Sequence, residues 1–573
     1  MIISKALKTN EYNPINSKEH AGVVGIKLIF FIWCIIALSI CLIEASTLDV
    51  LPSLMQDEAQ ITDYGRLALD PLSRWSVTWW VAGDKPLLLW SYLGPLFAEV
   101  GYQLGGASGV GPRIVALIGG LVAATIAFGW LLQRKVSPVF AALLSLAFLL
   151  DPLFTLSQRM ARTDSWVMAF CLASCWLLRR SSSKSKVTRM VLVMLAGTFA
   201  AVAAFVWPSA LFLFPLICVE LFDSFNNGRL DKRALRKMGA VLSYFVLAGL
   251  FASVLLIIPI QHQLATIISD MSDMVALNVN ASLSPVDKLL GIFTPQPWLK
   301  VVKAFVKTLS PFFPLLALWA LLFRRERSIL LALTFTLLII FITLIYEFRL
   351  LYLLPYFLVL VASLFKNIDA KPLKPVVHQL SSILLLILVL WSVGVSVVVR
   401  SVFAYNDGAQ RKRILIEEAA RSSIGAGDHK VFLGFTYEFY FTGRTLGWQM
   451  YTPYIQFSFD DEGNWIRKDD YQPKDRFMKL MSEMDYAIFP GAQIDEDLRA
   501  QLNSSGLKYR GPIHIGDPPL KVDGADDDRS ANDIFLWYLQ GAPSYGPYML
   551  FERPKQQVSA YKALAETSNI LTH

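Results

Sequence analysis

Apolar runs of about 20 residues, the length that crosses a bilayer, recur along the first 400 residues of the chain and then stop. The pattern predicts helices over 26–45, 112–132, 138–154, 164–178, 190–206, 209–222, 239–260, 309–323, 328–346, 350–365 and 379–399. That makes about eleven membrane spans. Residues 87–105 are apolar as well, but Gly94, Pro95 and Glu99 interrupt them. They read as a helix lying at the membrane interface or re-entering it. Residues 1–25 are polar and read as a cytoplasmic tail. Residues 401–573 change character, with strand patterns over 430–435, 485–489 and 548–552 and a helical pattern over 474–484. The fold class is therefore a polytopic α-helical membrane protein, 26–400, followed by a small α/β domain, 401–573.

Composition agrees with this. Of 573 residues, 54% are hydrophobic and only 17% charged, against about 25% charged in soluble proteins. The net charge of +8 does not point to nucleic acid. Its basic residues gather in short loops, at Arg134-Lys135 and in the stretches opening at Arg179, Gly228, Arg324 and Lys366. Alternate loops are poorer in Lys and Arg, the positive-inside signature of a cytoplasmic membrane protein. On that count the first loop, 47–111, and the C-terminal domain face outward. Counting 87–105 as a span would put every later basic loop outside. Cys34, Cys41, Cys171, Cys175 and Cys218 all fall inside predicted spans, so no disulfide framework is expected. The scattered histidines show no metal-binding spacing.

Charges beside a bilayer need a reason. The first loop carries Asp57-Glu58 at the start of a predicted helix, with Ser53 and Gln56 as its capping box. Asp57, Ile61 and Tyr64 share one face, while Glu58 points off it. A partly desolvated carboxylate there suits a general base; the plainer reading is an acid complementing the helix dipole. Farther along, Trp75, Trp79 and Trp80 precede Gly83-Asp84-Lys85-Pro86, a rigid turn that aims a lysine at a lipid-borne phosphate or merely at the interface. Between two later spans, Arg159, Arg162 and Asp164 share a turn. Asp164 caps the next helix or supplies a second carboxylate, and outward-facing arginines call for an anionic partner. Tyr346 and Arg349 lie in another tight outer turn. Thr294-Pro-Gln-Pro-Trp298 is rigid and amphipathic, a lid or an interfacial anchor.

Taken in order, these motifs resemble the C-type glycosyltransferases, in particular the protein O-mannosyltransferases and the lipid A aminoarabinose transferases. The resemblance rests on the first-loop acidic pair, Lys85-Pro86, Arg162-x-Asp164 and Arg349-x-x-Tyr352-Leu353-x-Pro355, and covers about residues 26–400. In the C-terminal domain it extends only to the Tyr440-Phe-Thr-Gly-Arg444 turn. It implies a polyprenyl-phosphate-linked sugar donor and an acceptor lipid, glycan or protein on the outer face of the inner membrane. By this resemblance Asp57 and Asp164 are the catalytic carboxylates, Lys85 binds the donor phosphate and Tyr346 or Arg349 contacts it; Glu58, Asp84 and Arg162 complete the expected substrate contacts. No metal or other cofactor is implied. Asp84 stands where relatives commonly have Glu, and Leu87 replaces a second proline, which touches donor identity more than fold.

The implied chemistry is a single inverting displacement with an oxocarbenium-like transition state. Asp57 takes the acceptor proton, and Lys85 with arginines stabilises the departing phosphate. Two other classes remain open on the sequence. A transporter or flippase would place charges near mid-span and show related halves, and neither is seen. A lipid-linked polysaccharide ligase would carry its large loop late in the chain.

Overall fold

The computed structural model describes residues 14–78, 89–182, 184–225, 232–268, 290–324, 326–343, 345–366, 373–453, 456–459, 465–468, 474–491, 495–513, 515, 539 and 545–554. Helices dominate. In chain order they are α1 (Pro14–Ala45), α2 (Gln56–Leu69), α3 (Leu93–Gly105), α4 (Val110–Gln133), α5 (Pro138–Leu149), α6 (Pro152–Arg159), α7 (Asp164–Ser181), α8 (Lys186–Val206), α9 (Phe214–Phe225) and α10 (Lys232–Ile257). There follow α11 (Pro295–Lys307), α12 (Phe312–Phe323), α13 (Arg327–Ile342), α14 (Leu354–Ala362), α15 (Pro375–Val393), α16 (Arg400–Arg411) and α17 (Ile414–Ser423).

Each apolar run is helical, but they are unequal. Among the described residues, six helices are long and apolar enough to cross a membrane, or seven if the bent pair α5 and α6 is one span. That pair bends by 50°. Pro152 follows the break, and Asp151 caps the new helix by accepting from the Leu153 and Phe154 N–H groups. α12 and α13 are apolar but short. The expectation of about eleven spans treated all these runs as equivalent. At 1.5 Å rise per residue, α3 is too short to cross, in line with an interfacial placement. α1 starts at Pro14, so residues 14–25 continue the first helix, where a tail was expected.

The bundle core runs through α4, α5, α6, α7, α14 and the turn before α14, including Trp130, Phe148, Phe154 and Tyr352. Many residues of α1, α10 and α15 are instead outward-facing and apolar, such as Phe31, Phe251 and Leu390. A continuous apolar exterior is what a bilayer covers.

The C-terminal part holds β1 (Lys430–Leu433), β2 (Gln449–Tyr451), β3 (Gln456–Phe459), β4 (Trp465–Lys468), β5 (Tyr486–Pro490), β6 (Lys508–Ile513) and β7 (Tyr548–Glu552). Five of them form a mixed sheet in the order β2-β1-β5-β7-β6; β3 and β4 pair separately. β1 is parallel to β2 and β5, and β7 is antiparallel to β5 and β6. The helical pattern over 474–484 is the helix Lys474–Glu483.

This sheet is not a separate bead. One hydrophobic cluster joins Leu54, Ala59, Val77 and Tyr102 of the first loop to Val431, Tyr440, Phe441, Trp448 and Tyr548. Ser76 also bridges in parallel to Tyr451, extending the sheet edge beyond β2. Each large apolar side chain buried there contributes about 1.5–3 kcal/mol. The boundary expected at 400 likewise falls inside a continuous helical rod, 375–406.

Candidate active site

α2 begins at Gln56, with Met55 as its N-cap. The anticipated Ser53–Gln56 capping box is replaced by Glu58, which accepts from the Met55 N–H at 3.1 Å. Glu58 does more than cap. It is fully buried and forms a bidentate pair with Arg113 of α4, accepting from Nε at 2.7 Å and also from Nη2. Arg413 approaches it at 3.5 Å. Arg113 spends its other donors on the Leu48 and Pro52 carbonyls, 2.8 Å each. Glu58 therefore faces the protein interior and locks the start of α2, away from the face where substrate contact was expected.

Asp57, one residue earlier, turns the other way and keeps 30% of its side chain exposed. Arg162 pairs with it through Nη1. The same guanidinium donates from Nε to Asp164 Oδ2 at 2.7 Å. Asp164 is at the first turn of α7 and 1% exposed. It also accepts from Ser157 Oγ at 2.9 Å and from the Tyr352 hydroxyl at 2.6 Å. Three donors fix it, so Asp164 holds Arg162 in place while Asp57 remains at the surface of the site. Burial acts against the charge on Arg162, but Asp164 and Asp57 outweigh it and keep the guanidinium cationic.

Phe348 lies beneath Arg162, with the guanidinium carbon 4.1 Å from the ring centre, close enough for a cation–π contact. Tyr346 is 5.9 Å away by the same measure. Burial, and next the Asp57 charge, raise the Tyr346 pKa and keep the hydroxyl protonated. Arg349 stands one helical turn on, its N–H donating to the Tyr346 carbonyl at 2.9 Å, within electrostatic reach of Tyr346 and Arg162.

Five of the candidate residues thus come together from three distant parts of the chain: Asp57, Arg162, Asp164, Tyr346 and Arg349. Asp84 and Lys85 lie outside the described residues, as do Trp79 and Trp80. What leads into that segment is firmly placed. Asp63, on α2, accepts from Ser76 Oγ at 2.5 Å and the Val77 N–H at 2.9 Å. It accepts as well from Arg66 Nε at 2.6 Å and the Tyr440 hydroxyl at 2.9 Å. The Arg66 guanidinium stacks 3.5 Å over Trp75. Nearby, Arg444 forks onto Glu99 of α3 at 2.6 and 2.9 Å. Glu99, an odd charge in an apolar run, is there to meet the C-terminal domain.

Asp63, Arg66, Ser157 and Tyr352 have no role that sequence reasoning foresees. Tyr352 stood in a quoted motif, and the Tyr440–Arg444 turn was singled out, but nothing in their spacing names the partners. Along the face of α2 that carries Asp57, Tyr64 lies about 10 Å on. With Leu67, Tyr92, Ile260, Gln263 and Ile267 it lines a small cleft of about 30 Å³ between α2 and the end of the 238–268 span.

Neither a family model nor a curated protein sequence matches the chain. Solved structures do. ArnT from Cupriavidus metallidurans bound to undecaprenyl phosphate superposes with a TM-score of 0.52 at 12% identity, covering 91% of this chain and 98% of that one. The fold resembles that of the C-type glycosyltransferases. The apo form of the same ArnT gives 0.52 at 12% identity over 84% of this chain and 96% of that one. Arabinofuranosyltransferase AftD from Mycobacteria gives 0.48 at 15% identity, with 91% of this chain on 39% of that one. At such identities the ArnT likeness speaks for the arrangement of helices and soluble domain, and the residues must argue their own chemistry.

Proposed function

We propose that the protein is an inverting glycosyltransferase that moves a sugar from a polyprenyl-phosphate donor to an acceptor on the outer face of the membrane. The observation carrying this reading is one half-buried carboxylate, Asp57, set against a buried cation, Arg162, whose orientation a second carboxylate, Asp164, maintains. That is a base beside an anion clamp.

Asp57 takes the proton from an acceptor hydroxyl. The oxygen forms a bond to the anomeric carbon as the bond from that carbon to the phosphate oxygen breaks. The electron pair leaves with the polyprenyl phosphate. Arg162 and Arg349, together with Lys85, offset the negative charge that grows on the leaving group. Tyr346, kept neutral, donates a hydrogen bond to the same phosphate. A phosphate arriving at Arg162 competes with Asp57 for the guanidinium and frees the carboxylate for proton transfer, so donor binding prepares the base. With cations supplied by side chains, this reading calls on no metal.

The test is Asp57→Asn in full-length protein, assayed for donor binding and sugar transfer. Donor should bind while transfer falls by about 10³-fold or more. Transfer at the wild-type rate would refute the role. Mass spectrometry of envelope lipids, glycans and glycoproteins with and without the protein would then identify sugar and acceptor.

A further inference from the structure

Helix α11 divides its circumference into three clean sectors. At 100° per residue, Trp298, Leu299, Val302 and Val306 occupy one arc, and all four are 45–58% exposed. Val301, Ala304 and Phe305 occupy a second arc and face the protein, where Phe305 meets Phe357 at 6.0 Å and Ala304 is buried. Lys300, Lys303 and Lys307 fill the third, together with Gln296. Pro295 at the first helical position starts the helix. Trp298 is steadied by donating from Nε1 to the Ile292 carbonyl at 2.8 Å and by an edge contact to Phe341 at 4.9 Å.

An exposed apolar arc beside a lysine arc is the pattern of a helix lying flat in a membrane interface. Other helices of the chain likewise present exposed apolar residues, Phe251, Val254 and Ile258 before α11 in sequence and Leu315, Leu318 and Leu322 after it. Helix α11 itself, Pro295–Lys307, carries no acidic residue. Glu347 is the acid on the turn packed against α11. Helix α11 packs on the turn Glu347–Leu350, which follows Tyr346 and so lies near Asp57.

We infer that α11 docks on anionic phospholipid head groups: Trp298, Leu299, Val302 and Val306 enter the acyl boundary, and Lys300, Lys303 and Lys307 engage head-group phosphates. The occupant is the lipid surface itself. The inference needs only that the chain spans a membrane, and its readout is lipid binding, so it stands or falls apart from sugar transfer.

Full-length protein is purified in phosphatidylcholine–detergent micelles, and its thermal midpoint is followed as phosphatidylglycerol is added. Native mass spectrometry counts the phosphatidylglycerol retained. Wild type is stabilised by phosphatidylglycerol and retains it. A lysine at such a surface is worth about fivefold in affinity, so K300Q/K303Q/K307Q binds on the order of a hundredfold more weakly. Should the triple variant fail to fold, K303Q alone, at an exposed position, binds about fivefold more weakly by the same measurements. Equal retention by wild type and variants overturns the inference. So does equal stabilisation by inorganic phosphate, which marks a small-anion site, or stabilisation by undecaprenyl phosphate alone, which makes these lysines part of a donor site.

Discussion

The Tyr440 hydroxyl donates to Asp63 Oδ1 at 2.9 Å, and through that bond the C-terminal domain holds the helix that carries Asp57. Asp63 in turn fixes Ser76 and Val77, the approach to Asp84-Lys85. Tyr440→Phe removes one donor from a buried carboxylate and should cost about 1–3 kcal/mol in thermal unfolding. A clamp that positions the site predicts more than that: transfer falls further than the folded fraction does, and the loss appears in donor affinity as well as in turnover. Unchanged kinetics in folded Tyr440→Phe would reduce the contact to a structural one.

The same carboxylate gives a pH prediction. Burial pushes the Asp63 pKa up, but Arg66, Ser76 and the Val77 N–H push it down further, and it ends below its ordinary value. A depressed folded-state pKa contributes stability that is present above the unfolded value, about 3.9, and is lost as pH falls through the folded one. Unfolding followed between pH 7 and 3 should show this contribution intact to about pH 4 and then failing. Asp63→Asn should start less stable and lack that acid component.

Glu438 should behave in the opposite sense. Its Oε2 is buried with no partner among the described residues, and burial raises its pKa to about 7. A raised carboxylate is easier to ionise once unfolded, so stability declines as pH rises from about 4.5 through 7. Glu438→Gln should flatten that decline and gain about 1–2 kcal/mol at pH 8. No change in the slope of stability against pH would contradict the assignment.

Arg162 joins two carboxylates with one rigid fork. A lysine presents a single ammonium and cannot reproduce that geometry. Arg162→Lys should therefore lose transfer by about 10²-fold, and Arg162→Gln by about 10³-fold with weakened donor binding. Tyr352→Phe leaves Arg162 in place but frees one Asp164 oxygen. It should lower turnover by about tenfold with little effect on donor affinity. Equal transfer by Arg162→Lys and wild type would mean that the bridging geometry is not used.

Periodicity was a good guide to the bundle because burial in lipid or protein imposes it. All eleven apolar runs are helical, and the strand over 548–552 is observed with the bounds expected. Span counting fared less well: length and polarity vary along runs such as 138–154, where Asp151 and Pro152 break the helix. At the site, the sequence marked Asp57, Arg162, Asp164, Tyr346 and Arg349 as polar residues at helix ends, which is a local property. Which of them meet depends on contacts over long separations, such as Asp57 to Arg162 and Asp63 to Tyr440, and no local pattern encodes those.

Neighbouring acids make the sharpest contrast. Asp57 and Glu58 are adjacent in sequence, yet Asp57 keeps 30% of its side chain exposed and Glu58 none. Removing the Glu58 charge strands Arg113, which is itself wholly buried. An uncompensated buried charge costs about 3–5 kcal/mol, so Glu58→Gln should lower the thermal midpoint sharply and reduce folded yield. Any protein that does fold should retain near-normal donor affinity, because Glu58 is buried against Arg113 and does not touch Arg162. Asp57→Asn should do the reverse, keeping stability within about 1 kcal/mol and losing transfer. Measuring both variants by thermal unfolding and by transfer assay separates the two roles. A stable Glu58→Gln with lost donor binding would return Glu58 to the substrate contacts that the sequence suggested.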